Sequence, residues 1–151
     1  MIRPIIRGPD KILTTVSQPA DLSDPHHLAT LQDLADTIRD TPRAMGLAAV
    51  QIGHLIRAAA IRTPGEIVII CNPVVVESFG GNREQEEECL SYPWLKGVKV
   101  IRPWGAAVEY ETERNPERVI ERCSGKLARC IMHEIDHMNG ITIDLIRRRR
   151  Q

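Results

Sequence analysis

Apolar residues recur at helical spacing in two places along the chain, with short apolar runs between them. Leu28, Leu31, Leu34, Ala35 and Ile38 share one helical face. Asp24 suits the N-cap of that helix, Pro25 its first position, and Thr41-Pro42 closes it. A second stripe, Leu127, Ile131, Ile135 and Met138, follows Ser124 as N-cap and stops at Asn139-Gly140. Residues 54–62 and 66–77 read as strands joined by Thr63-Pro64-Gly65. Residues 104–112 and 117–123 read as another pair across the turn-rich residues 113–116, and Gly80-Gly81-Asn82 reads as a further turn. Residues 1–24, broken by Pro9, Pro19 and Asp21, are expected to form an extended arm across the domain. Residues 141–146 are expected to form a final short strand or arm.

A length of 151 residues suits one domain spanning 1–151, large enough for a core without disulfides. Lysine plus arginine and aspartate plus glutamate number 20 each, so no whole-chain field argues for nucleic acid or a membrane surface. The opening MIRPIIRGPD has no apolar run that would serve as a signal or a membrane span, so a cytoplasmic location is the default expectation. Cys71, Cys89, Cys123 and Cys130 then read as free thiols or ligands.

The chemistry concentrates in the second helix, which contains the pentad HEIDH. His133 and His137 are four apart and share a face, so both rings can reach one metal ion. Glu134 beside them can accept a proton from water activated by that ion. A catalytic site of this kind needs a third protein ligand. Cys89 qualifies, and Cys130, one turn before His133, is not excluded by geometry. Residues 44–53 are compact and nearly all small. Gly46, Ala48 and Ala49 would admit a close backbone approach, and Gln51 is the only polar side chain in the run. The glutamates of residues 84–88 read, as a group, as a solvated charged loop.

Three motifs in order resemble those of the peptide deformylase family. They are Ala44-Met45-Gly46-Leu47-Ala48-Ala49-Val50-Gln51, then Glu87-Glu88-Cys89-Leu90-Ser91, then His133-Glu134-Ile135-Asp136-His137 followed by Gly140. The resemblance implies an α+β fold of antiparallel β-sheets packed around a C-terminal metal-binding helix. It implies that Cys89, His133 and His137 hold one divalent ion, ferrous iron in most of the family, with zinc, nickel or cobalt as substitutes. Glu134 is then the general base, and the Gln51 side-chain amide and Leu90 backbone N–H are the oxyanion donors. Met45, Gly46, Glu88 and Arg129 fall beside the substrate path. The implied reaction removes the formyl group from N-formyl-methionyl peptides and releases formate.

The chain departs from the family pattern at Ala44 and Glu88, which stand where glycines are usual, and at Val50 and Met132. Glu88 and Ala44 would mark a relative acting on another formamide, small or cationic, and a carboxylate at Glu88 would find its partner in Arg129. A non-catalytic metal-binding relative is a further alternative, as is a zinc peptidase, for which Asp144 is the one carboxylate downstream of the pentad. Arg147 to Arg150 read as a solvated, mobile tail, with a weak ribosome contact as its functional alternative.

Overall fold

In the computed structural model, which describes residues 1–150, a single antiparallel sheet wraps around one helix. The strands are β1 (Gly46–Ala48), β2 (Ala58–Arg62), β3 (Ile67–Glu87), β4 (Val98–Thr112) and β5 (Asn115–Ser124). They lie in the order β1-β2-β3-β4-β5, each antiparallel to the next. The helices are α1 (Pro25–Arg39), α2 (Gly125–Met138) and α3 (Ile143–Arg149). The α+β architecture and the late helix agree with the expectation. The sheet is one rather than several.

Helix α1 forms as its pattern predicts, with the Asp24 carboxylate accepting from the His26 N–H at 2.8 Å and Pro25 in the first turn. Its buried stripe, Leu31, Leu34 and Ile38, packs with Leu47, Ala58, Ala60 and Cys71. Burying each such leucine or isoleucine contributes about 1.5–3 kcal/mol. On the other side, Ala128, Ile131, Met132 and Met138 of α2 pack on Ala48, Val50, Ile61, Ile70, Ala106 and Val108. Ser124 occupies the N-cap of α2, but its side chain makes no cap hydrogen bond. The N-terminal arm crosses the domain. Ile6 donates to the Gln51 carbonyl, Gly8 to that of Ser91, and Ser17 to that of Met138.

Four expectations need correction. Gly80-Gly81-Asn82 does not end a strand. β3 runs on to Glu87, and the two glycines, at φ 80° and 70°, form an irregularity where the register shifts between Phe79 and Asn82. A left-handed pair of glycines bends a long strand without breaking its pairing. Beyond the bend, residues 83–87 are strand rather than loop, paired with residues 98–102. β4 accordingly starts at Val98, not near Trp104. Finally, residues 143–149 form α3 rather than a strand or a mobile tail. Thr142 caps that helix, accepting from the Leu145 N–H at 3.3 Å. Arg147 and Arg148 pair with Asp144, and Arg150 bonds Glu84 and the Lys99 carbonyl.

Candidate metal centre

The two histidines and Cys89 meet although Cys89 and His133 are 44 positions apart in the chain, with β4 and β5 between them. β3 ends at Glu87, two residues before Cys89, and α2 reaches that strand end through Arg129 and His133, both bonded to Glu87. The side-chain donor atoms of Cys89, His133 and His137 all lie within 4.8 Å of one another. Cys89 Sγ is 3.3 Å from His137 Nε2. A thiolate and two imidazoles converging this closely make a donor set suited to a divalent transition metal. Cys130 is not part of that cluster, although it lines the cleft beside it. The thiols of Cys71, Cys123 and Cys130 are all held protonated by burial, Cys71 up to about 12.

Helical spacing alone explains why His133 and His137 share a face, but it does not explain how the His133 ring is fixed. That role falls to Glu87, whose Oε1 lies 2.9 Å from His133 Nδ1, leaving Nε2 for the cluster. The Glu87 carboxylate is fully engaged. Its two oxygens also accept from Arg102 Nε and Nη2 at 2.6 and 2.9 Å, and from Arg129 Nη1 at 2.7 Å. Arg102 extends the network to Asp136 at 2.8 Å. Burial by itself would raise the Glu87 pKa. The hydrogen bonds from His133 and Arg102, with the Arg102 charge, overcome that and hold it far below the usual carboxylate range.

Glu87 therefore departs from the solvated acidic loop expected for residues 84–88, and Arg129 pairs with it rather than with Glu88. The reason is pleat alternation. Glu87 shares the inward side of the sheet with Val98, Val100 and Arg102, whereas Glu88 lies beyond the strand end, exposed, with Lys96 at 3.6 Å. The sequence assigned no role to Glu87, Asp136 or Ser91, which it shows only as members of motifs, nor to Arg102, which follows the second motif where the family often carries arginines. The alternation of Val98, Val100 and Arg102 was the available signal that Arg102 points inward.

Glu134 is 3 % exposed, and its Oε2 has no hydrogen-bond partner among the described residues. Burial pushes its pKa up to about 7, against the opposing charges of His133 and Arg102. Gly46 of β1 allows this helix face to approach. A Cβ there would stand 2.7 Å from Glu134 Oε1 and 2.8 Å from Cys130 Sγ. Gln51 is buried too. Its Oε1 accepts from the Ala48 N–H at 2.9 Å, while Nε2 donates to Ser91 Oγ at 3.1 Å and lies 3.7 Å from Cys89 Sγ. The turn after Cys89 closes by a Tyr92 N–H to Cys89 carbonyl bond of 3.0 Å, in which the Leu90 N–H takes no part. Asp144 lies outside the cluster, paired with Arg147 and Arg148.

Cys89, His133, Glu134 and Gln51 open onto one cleft of about 590 Å³, whereas His137 lies behind its lining. Met45, Gly46, Gln51, Glu88, Leu90 and Arg129 line it along with Cys89, His133 and Glu134. Ala44 also reaches the cleft, but its methyl is buried with Leu47 and Ile38. Arg129 contributes its stem to the wall, because its guanidinium is engaged by Glu87 and by the carbonyls of Val100 and Arg83.

A polypeptide deformylase family model matches residues 2–151 of this chain. Among curated proteins, peptide deformylase 2 of Clostridium acetobutylicum is 36 % identical over 140 residues, 93 % of this chain and 91 % of its own length. The Rhizobium meliloti peptide deformylase is 37 % identical over 145 residues, covering 93 % of this chain and 82 % of its own. Among solved structures, a peptide deformylase from Legionella pneumophila superposes with a TM-score of 0.86 at 33 % identity, over 99 % of this chain and 92 % of that one. One from Ehrlichia chaffeensis in complex with actinonin gives 0.86 at 30 % identity, over 94 % and 86 %. A pentad helix, a cysteine brought beside it by the turn after β3, and relatives matching over most of their length leave one assignment: the chain belongs to the polypeptide deformylase family of metal-dependent hydrolases.

Proposed function

We propose that this chain, acting as one domain, hydrolyses the formamide of N-formyl-methionyl peptides and releases formate. One observation carries the reading. The convergent donors Cys89, His133 and His137 stand beside a buried carboxylate, Glu134, with one oxygen that nothing in the described chain satisfies. The ligand triad would hold one divalent ion, ferrous iron on the family pattern with zinc, nickel or cobalt as substitutes. Such an ion, when bound, polarises a carbonyl oxygen and makes water a nucleophile near neutral pH.

The chain's own groups supply the rest. Glu134, with a pKa near neutrality, takes a proton from the attacking water and passes it to the leaving amine. Gln51 Nε2 and the Leu90 N–H serve as oxyanion donors, and the bond from the Ala48 N–H to Gln51 Oε1 fixes the amide before substrate arrives. β1 is an edge of the sheet, so Met45 and Gly46 can present main-chain groups to an extended peptide. Glu88 and the Arg129 stem border the same path. No helix among the described residues is long and apolar enough to cross a membrane, and a cytoplasmic location fits the nascent-peptide substrate. The arginines of α3 offer a weak ribosome contact, reduced by their pairing with Asp144 and Glu84.

Formate release from formyl-Met-Ala by iron-loaded protein kept anaerobic tests the proposal. Wild type should turn the peptide over. Glu134→Gln should keep its metal and lose roughly 10²-fold or more in kcat. Full activity in that variant would remove Glu134 from the mechanism.

A further inference from the structure

The charges that line the cleft fall into those with a partner and those without. Glu87 is buried against Arg102 and Arg129, and Glu88 lies against Lys96 at the rim. Glu86 turns to the loop after β3, its carboxylate 3.2–3.3 Å from where a side chain on Gly97 would stand. Neither Glu86 nor Lys126 forms an ion pair among the described residues; of the two, the cation is Lys126, on the helix that carries the histidines. It is exposed and lines the cleft. It sits on the ligand face of α2, one turn before Cys130 and two before His133, so its Cα is about 10 Å along the axis from that of His133. The cleft that Lys126 lines is the one that Cys89, His133 and Glu134 also line, so a substrate reaching those residues passes the face that carries Lys126.

We infer that the cleft selects N-formyl substrates carrying a carboxylate within one side chain of the formamide, and that Lys126 receives it. The inference rests on the deformylase reading and names a substrate class for that site. It reverses the sign expected from Glu88 alone: Glu88 stays in solvent at the rim with Lys96 at 3.6 Å, whereas Lys126 has no anion among the described residues. Met45, Leu90, Pro93 and Leu95 supply apolar surface for the stem of the substrate side chain, so charge adds to an otherwise ordinary grip. Arg43, which lines the same cleft and forms no ion pair among the described residues, gives the lining a second cation.

The test uses two matched pairs, formyl-Glu-Ala against formyl-Gln-Ala and formyl-Met-Glu against formyl-Met-Gln, with iron-loaded protein at low salt. In at least one pair kcat/KM should favour the acid by roughly fivefold, the scale of one partly exposed ion pair, and that pair shows which residue bears the carboxylate. High salt and Lys126→Met should bring the ratio near one, Lys126→Arg should keep it, and Lys126→Glu should invert it. Ratios of one in both pairs, with formyl-Met-Ala still turned over, would overturn the inference and leave the deformylase reading intact. A preference that survives Lys126→Glu would also overturn it. No turnover of any of these peptides would overturn both.

Discussion

Glu87 and Glu88 stand side by side at the end of β3, with side chains 5 % and 63 % exposed. Glu87 uses both oxygens on two arginines and His133; Glu88 has one lysine at 3.6 Å, itself largely exposed. The same side chain thus does opposite work one residue apart. Taking a carboxylate out of water costs several kcal/mol, and the cost is met only where charges and hydrogen bonds surround it. Glu87 has that surround, and in return fixes the ring of one candidate ligand. Glu88 stays in water, where an ion pair contributes little. A run of glutamates is therefore no unit of function.

Substitutions sharpen the contrast. Glu87→Gln should be the costly one, because it leaves Arg102 and Arg129 with a neutral partner in a buried site. About 3 kcal/mol of stability should be lost in urea unfolding of the metal-loaded protein. Metal affinity should fall about 10–100-fold as the His133 ring loses its anchor. A loss below about 1 kcal/mol would show that Asp136 alone can compensate Arg102, and the contrast would weaken. Glu88→Gln should change stability by no more than about 0.5 kcal/mol, the range of surface substitutions, and leave metal content intact. A large effect there would mean that Glu88 is held by more than Lys96.

The same two residues mark where reading the sequence succeeded and where it stopped. α1 and α2 were legible because both carry apolar residues at helical spacing with start and stop residues in place, and the spacing of His133 and His137 is local to one helix. Cys89 was singled out among four cysteines only through the resemblance of its motif, and the structure brings it to the histidines. The Glu87 network was not legible. Its partners lie 15, 42 and 46 residues away, and which glutamate of the run faces inward depends on the register of β3 against β4. That register follows a glycine irregularity which looks, in sequence, like an ordinary turn. α3 was hidden for another reason. Its arginines suggest a solvated tail, and the Thr142 cap and the Asp144 ion pairs that stabilise it are short-range signals easily outweighed by a charge run.

The central claim is that Cys89, His133 and His137 together close one metal site. Metal analysis of four purified single variants tests it most directly: Cys89→Ala, Cys71→Ala, Cys123→Ala and Cys130→Ala, prepared with iron under anaerobic conditions. Cys89→Ala should lose tight binding, since two imidazoles alone hold a divalent ion weakly, while the other three should retain one ion per chain. Stoichiometric metal in Cys89→Ala, or its loss in Cys130→Ala with the fold intact, would contradict the ligand set.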